Sequence, residues 1–166
     1  MAIGLPCGMA VVVRPFHAND GRACGAIVGA TPLWQRAGLG AERAATILTT
    51  AAEHGETVLV LDDGGVAGFA WIDVRGAFGR SAYLRMIAVE PTRRSAGLGA
   101  RLMDAFETIA LTEDGNAFLM VSDSNAEGRR FYARRGYVEV GRVPGYVQPD
   151  VVELVLWKRV GAPSRT

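Results

Sequence analysis

Between residues 89 and 99 the chain reads V-E-P-T-R-R-S-A-G-L-G, with an apolar strand-like run before it and a helical periodicity after it. Pro91 ends the strand, and Arg94, Gly97 and Gly99 form R-x-x-G-x-G at the mouth of the helix. Glycines at such a turn let an anion approach the N–H groups that a first helical turn leaves unpaired, and the helix dipole adds attraction. Arg93 and Arg94 supply matching charge, so the chemistry indicated is phosphate binding. The G-K-[ST] of a Walker loop is missing and only two of the three spaced glycines of a dinucleotide turn are present, so neither of those ligand classes is indicated. Many Gly-rich strand-to-helix turns serve packing alone.

Two further places carry reactive groups. Residues 125–137 read N-A-E-G-R-R-F-Y-A-R-R-G-Y, in which Asn125 suits a helix N-cap and Gly136 the left-handed position after the last turn. Asp73 interrupts the apolar run Val66 to Val74, so its carboxylate could hold a cation or relay a proton, or could simply mark an outward strand position.

Hydrophobic periodicity supplies the elements that must position these residues. Ala10 to Arg14 is a short β-branched strand stopped by Pro15; a helical stretch from Asn19 to about Ala30 is closed by Pro32; a second helix spans Ala41 to Glu53 with Gly55 at its stop. Thr57 to Leu61 and Val66 to Val74 form a hairpin across Asp62, Asp63, Gly64 and Gly65, followed by strand Tyr83 to Val89. Leu98, Leu102, Ala105, Phe106 and Ile109 mark one buried helix face. Phe118 to Val121 is a fully apolar strand, Asn125 to Arg135 a short helix, and Val138 to Val143 and Val151 to Lys158 the last two strands. The sum is a mixed α/β (α+β) domain.

The chain has 166 residues, 49% hydrophobic and 21% charged, with formal net charge +1. At that length roughly two-thirds of the unfolded surface is buried on folding, so one domain needs no metal or disulfide. We expect residues 1–8 as a flexible start, 9–160 as the single domain and 161–166 as a tail. Charge balance argues against a nucleic-acid partner, which a basic excess would serve. All basic residues but Lys158 are Arg, which with abundant Ala and Gly fits the codon usage of a GC-rich bacterial genome. Cys7 and Cys24 lack metal-ligand spacing and have only His17 and His54 for company, so two free thiols and no metal are expected. No apolar run approaches the ~20 residues of a membrane span. The first ten residues lack a signal-peptide pattern, which suggests a cytoplasmic protein without a membrane partner.

Taken together the two glycine-containing segments resemble the GCN5-related N-acetyltransferases (GNAT), which move an acetyl group from acetyl-CoA to an amine. The family's central motif is similar to V-x-P-x-x-[RQ]-x-x-G-x-[GA], matched by Val89, Pro91, Arg94, Gly97 and Gly99. Its next motif is similar to N-x-x-A-x-x-[FL]-Y-x-x-x-G-[FY], matched by Asn125, Phe131, Tyr132, Gly136 and Tyr137, with Gly128 at the small position. The element order agrees from Ala10 to Val160.

The resemblance implies a mostly antiparallel sheet of about seven strands, helices on both faces, and a parallel pair, 83–89 and 118–121, that splays after a bulge. The pantetheine arm would lie in that gap as a pseudo-strand against Ile87, Ala88 and Val89. The pyrophosphate would sit on N–H groups of Arg94, Ala96, Gly97, Leu98, Gly99 and Ala100, with Arg93 and Ser95 also at the cofactor. Asn125 would bond the arm or hold its own turn, with Phe131 alongside. Arg129, Arg130, Arg134 and Arg135 form a basic face; Arg129 or Arg130 would reach the 3′-phosphate and the others would be solvated. Tyr132 would give its proton to the departing thiolate. The acceptor side would involve Trp34, Trp71, Asp73, Tyr83, Arg85, Met120 and Tyr146, Asp73 being the carboxylate available for catalysis. Acetyltransferases acting on ribosomal-protein N-termini carry a glutamate where this chain has Met120, so the resemblance brings no ribosomal-protein substrate. It implies direct attack of a neutral amine, in a monomer or homodimer. An inactive acetyl-CoA-binding regulatory module, or an enzyme for another acyl-CoA such as succinyl-CoA, are the alternatives.

Overall fold

A computed structural model gives the structure of the protein and describes residues 10–94 and 97–161. The expected flexible start, Cys7, Ser95, Ala96 and most of the expected tail lie outside the described residues.

The chain runs β1 (Val12–Pro15), α1 (Gly21–Gly29), α2 (Pro32–Arg36), α3 (Ala41–Glu53), β2 (Thr57–Asp62), β3 (Val66–Ala77) and β4 (Ser81–Val89). It continues with α4 (Leu98–Glu113), β5 (Asn116–Ser122), α5 (Ala126–Arg134), β6 (Val138–Pro144) and β7 (Val152–Arg159). The seven strands form one mixed sheet in the order β1-β2-β3-β4-β5-β7-β6. All neighbours are antiparallel except β4 and β5, which run parallel.

Several expected boundaries are corrected. Among the described residues three α-helices, not two, precede β2: Pro32, expected as a stop, is the first residue of α2. Its missing N–H costs nothing there, because a first helical turn has no intrahelical partner for it. Pro15 is the last residue of β1 rather than a breaker after it, as a strand at the sheet edge tolerates. β3 runs past Val74 to Ala77, and Ala105 and Ile109 are half-buried flanks of α4, whose deepest residues are Leu98, Leu102, Met103, Phe106 and Ala110.

The sheet separates two cores. One face packs under α4 with Leu84, Leu102, Phe106, Leu119, Leu154 and Leu156, and takes in Tyr132 and Tyr137 from α5 and its exit. The other packs α1 and α3 on β2, β3 and β4 through Val28, Leu48, Val60, Phe69 and Met86. Each such large apolar side chain contributes about 1.5–3 kcal/mol by leaving water. α1 lies very close to α3: a Cβ on Gly25 would overlap the Ala41 carbonyl oxygen. Cys24 is fully buried in this second core, and burial pushes its thiol up to about 12.

The positioning feature is the opening between β4 and β5. They pair only from Ala82–Leu84 to Ala117–Leu119. Just beyond, the β3–β4 register slips: Trp71 faces Met86 and Ile72 faces Leu84, leaving Arg85 as the extra residue of a bulge. A bulge bends its strand and strengthens its twist, so β4 leaves β5 and the rest of both strands line a gap.

Candidate functional site

On the β4 side of the gap, hydrogen-bond parity settles which backbone groups are free. Glu90 N–H donates to the Ala67 carbonyl at 2.8 Å, so alternate residues of β4 face β3 at Glu90, Ala88 and Met86. Ile87 and Val89 therefore turn their N–H and C=O groups toward the gap. Their side chains pack on the α4 core, while Ala88 packs on the other.

At the mouth of the gap stands the N-terminus of α4. Gly97 is its N-cap, at φ +74°, a left-handed conformation that favours glycine. Among the described residues, nothing lies within 4 Å of where its Cβ would project. Leu98, Gly99 and Ala100 follow in the first turn, where N–H groups lack intrahelical partners. Gly99 joins the two motifs, because a Cβ there would be in ordinary contact, 3.5 Å, with the Phe131 ring of α5. Arg94 reaches the Thr31 hydroxyl at 3.4 Å, whereas Arg93 is held by Glu90 and Asp63 at 3.0 and 3.2 Å.

α5 closes the site. Asn125 caps it, its Oδ1 accepting from Gly128 N–H at 2.9 Å. Arg129 donates to the Asp123 carbonyl at 3.1 Å. The expectation of a solvated arginine face fails at Arg135, which is mostly buried between Asp104 and Glu107 of α4 at 2.6 and 3.1 Å and so pins α5 to α4. Tyr132 is 8% exposed, and burial alone pushes its hydroxyl well above the ordinary phenol range, with no charged or hydrogen-bonding group contributing. It stays protonated, a donor in apolar surroundings between Phe131 and Tyr137. The Tyr137 hydroxyl is buried without a hydrogen-bond partner among the described residues.

The opposite sheet face gathers most of the expected acceptor-side residues. Asp73 pairs in register with Tyr83, and Tyr83 with Phe118. Arg85 donates to Asp73 Oδ2 at 3.0 Å and lies 5.1 Å from the centre of the Trp71 ring. Trp71 Nε1 donates to Glu56 Oε2 at 2.8 Å. Burial raises the Tyr83 hydroxyl to about 12, with Tyr146 and Glu153 adding to the rise and Arg85 opposing it. Tyr146, 65% exposed, belongs to the β6–β7 loop. Met120 is half-buried on β5 opposite Val155. Trp34 is set apart, packing partly buried on the α1–α3 core.

Sequence reasoning missed Glu56, Thr31 and above all Glu153, a buried carboxylate on β7. The signal for Glu153 was available: like Asp73, it interrupts an apolar run, here residues 151–157. Among the described residues no group of three or more His, Cys, Asp or Glu is arranged to hold a metal ion, and no helix is long and apolar enough to cross a membrane.

The site is thus built on a mixed sheet with one parallel pair that parts at a bulge, with a glycine-capped helix N-terminus at its mouth. The model of the acetyltransferase (GNAT) family matches residues 30–137, more than half of the sequence. The chain belongs to that family. Among solved structures it is similar to Ard1 from Thermoplasma volcanium, at 26% identity and TM-score 0.76 over 93% of this chain and 100% of that one. Ribosomal-protein-alanine N-acetyltransferase from Brucella melitensis shares the fold at 22% identity and TM-score 0.71, over 89% and 99%. So does yncA from Salmonella typhimurium, solved with its cofactor acetyl-CoA, at 15% identity and TM-score 0.70, over 95% and 98%.

Proposed function

We propose that the protein is an acetyl-CoA-dependent N-acetyltransferase that acetylates a primary amine of a small molecule or peptide by direct attack in a ternary complex. The observation that carries this reading is the β4–β5 gap, whose free peptide groups at Ile87 and Val89 lead to the α4 N-terminus. A pantetheine arm carries two amides, which such an edge can pair as it would another strand. A pyrophosphate fits the first-turn N–H groups of α4 beyond Gly97. The similarity to yncA, solved with acetyl-CoA, supports the same ligand.

In this reading the amine nitrogen attacks the thioester carbonyl, the tetrahedral adduct collapses, and the C–S bond breaks. Tyr132 gives its proton to the departing sulfur, because a thiolate forming in apolar surroundings needs a donor. Asp73 and its partner Arg85, with Trp71 and Tyr83, form the wall that orients the acceptor and offer one carboxylate beside it. Cys24 is buried with a raised thiol pKa, which gives no support to a thioacyl-enzyme route. Arg129 or Arg130 of α5 would contact the 3′-phosphate. We place the enzyme in a bacterium, on the codon usage described above, as a monomer or homodimer.

The test is CoA release, followed with a thiol reagent, from acetyl-CoA mixed with pooled monoamines, polyamines, aminoglycosides and peptides. Release that depends on both acetyl-CoA and one pool supports the reading. Tight acetyl-CoA binding without release in any pool would make the protein a binding module. Faster release from succinyl-CoA would change the donor.

A further inference from the structure

We infer that Glu153, held by Ser122, is the carboxylate that receives the acceptor as a cation and takes its first proton; this rests on the reading of the site as an amine acetyltransferase. Glu153 is 5% exposed. Among the described residues it has no ion-pair partner, and its side-chain hydrogen bond comes from Ser122 Oγ to Oε1 at 2.8 Å. A carboxylate so enclosed, with a hydroxyl but no cation against it, leaves a place for an incoming positive group.

The sheet register puts Glu153 on the acceptor side. On β5, Leu119 and Val121 point into the α4 core, so Met120 and Ser122 point to the other face, and Ser122 stands opposite Glu153. Tyr83 is on this face too, opposite Phe118, and Glu153 is near enough to help raise its hydroxyl pKa. β5 contributes Phe118, Met120 and Ser122 here, none of them ionisable at neutral pH; the neighbouring strand supplies the charge that β5 lacks. Asp73, by contrast, is already matched by Arg85 at 3.0 Å. The groups near Glu153 are Ser122 from β5, its hydrogen-bond partner, and Tyr83 from β4, which Tyr146 of the β6–β7 loop also influences, while its register partner on β6 is the uncharged Val143.

The proton count closes. An ammonium acceptor loses one proton to Glu153, directly or through a water, and its lone pair then attacks the thioester carbon. After C–S cleavage the amide nitrogen sheds a second proton, the sulfur gains one from Tyr132, and Tyr132 is reprotonated by that second proton. Glu153 returns its proton to solvent, so each turnover yields amide, CoA thiol and one H⁺. Ser122 is a positioning residue that fixes the carboxylate rotamer.

The test compares wild type, Glu153→Gln and Ser122→Ala on spermidine, kanamycin, phenethylamine and an N-terminally blocked peptide with one lysine, at pH 7 and pH 9.5. Alkyl amines have pKa values near ~10, so the neutral fraction rises more than ~100-fold between those two pH values. On the amine that wild type uses best, Glu153→Gln should lose ~100-fold in kcat/KM at pH 7 and less than ~10-fold at pH 9.5, within the range for an acid–base group. Ser122→Ala should lose less, with the same narrowing, and acetyl-CoA affinity by calorimetry should change less than ~2-fold in both. Equal losses at the two pH values, or none, would overturn the assignment of Glu153 while leaving the acetyltransferase intact. Wild type that releases no CoA with any of the four would overturn both. If Glu153→Gln fails to fold, Glu153→Asp and Ser122→Ala carry the same comparison.

Discussion

Replacing Tyr132 by Phe removes one oxygen from a ring that otherwise stays in place between Phe131 and Tyr137. The folding cost is small, because burial alone perturbs this hydroxyl and no group among the described residues pairs with it. Deleting an unpaired buried hydroxyl changes stability by at most about 1 kcal/mol, in either direction. The catalytic cost is larger. A positioned proton donor typically contributes 10²-fold or more, and 10²-fold corresponds to ~2.7 kcal/mol of barrier, well above the folding term. Single-turnover CoA release under saturating amine isolates chemistry from product release, and calorimetry follows acetyl-CoA affinity in parallel. We expect the single-turnover rate to fall ~100-fold with affinity within ~2-fold of wild type. A near-normal single-turnover rate in the folded variant would refute the assignment, leave Tyr132 as packing, and mean that water alone protonates the thiolate.

Three further outcomes follow from the same geometry. Gly97→Glu places a side chain and a negative charge at a left-handed position facing open space, so calorimetry should find acetyl-CoA binding lost while circular dichroism finds the fold kept. Asp73→Asn breaks an exposed pair with Arg85 worth less than ~1 kcal/mol to folding, and should lower turnover far more than acetyl-CoA affinity; unchanged kinetics across pH would make Asp73 structural. Asp114 binds Ser81, Asn116 and Arg80, and although burial opposes it, these bonds hold its carboxyl down at about 2. A depressed folded pKa stabilises above the unfolded value near ~3.9 and loses that contribution as pH falls through about 2, so Asp114→Ala should cost about 1–2 kcal/mol in chemical denaturation at pH 7 and progressively less below pH 4.

Much of this architecture is legible in the residues because its signals are local. α3 matches its apolar spacing from Ala41 to Glu53, and Gly136, at φ +86°, sits just past α5 as its glycine suggests. Gly97 at the α4 N-terminus and the buried Tyr132 both lie in the two motifs that stand out in the sequence. What escaped depends on register between strands distant in sequence. Arg85 reads as one residue of a strand, and only its pairing against Trp71 and Ile72 makes it the bulge that opens the gap. Glu153 lies 31 residues from Ser122 in sequence, so its burial and its partner follow from the β5–β7 ladder and not from its neighbours. Arg135 looked like part of a charged surface because Asp104 and Glu107 reach it from another helix.

The central claim is that the gap between β4 and β5 is an acetyl-CoA site with Tyr132 at the sulfur. A crystal structure of the protein with acetyl-CoA tests it most directly. It should show pantetheine amides bonded to the backbone of Ile87 and Val89, the pyrophosphate on the α4 N-terminus, and the thioester sulfur within ~3.5 Å of the Tyr132 hydroxyl, as a proton donor requires. Acetyl-CoA bound elsewhere, or in the gap with its sulfur out of reach of Tyr132, would contradict the account.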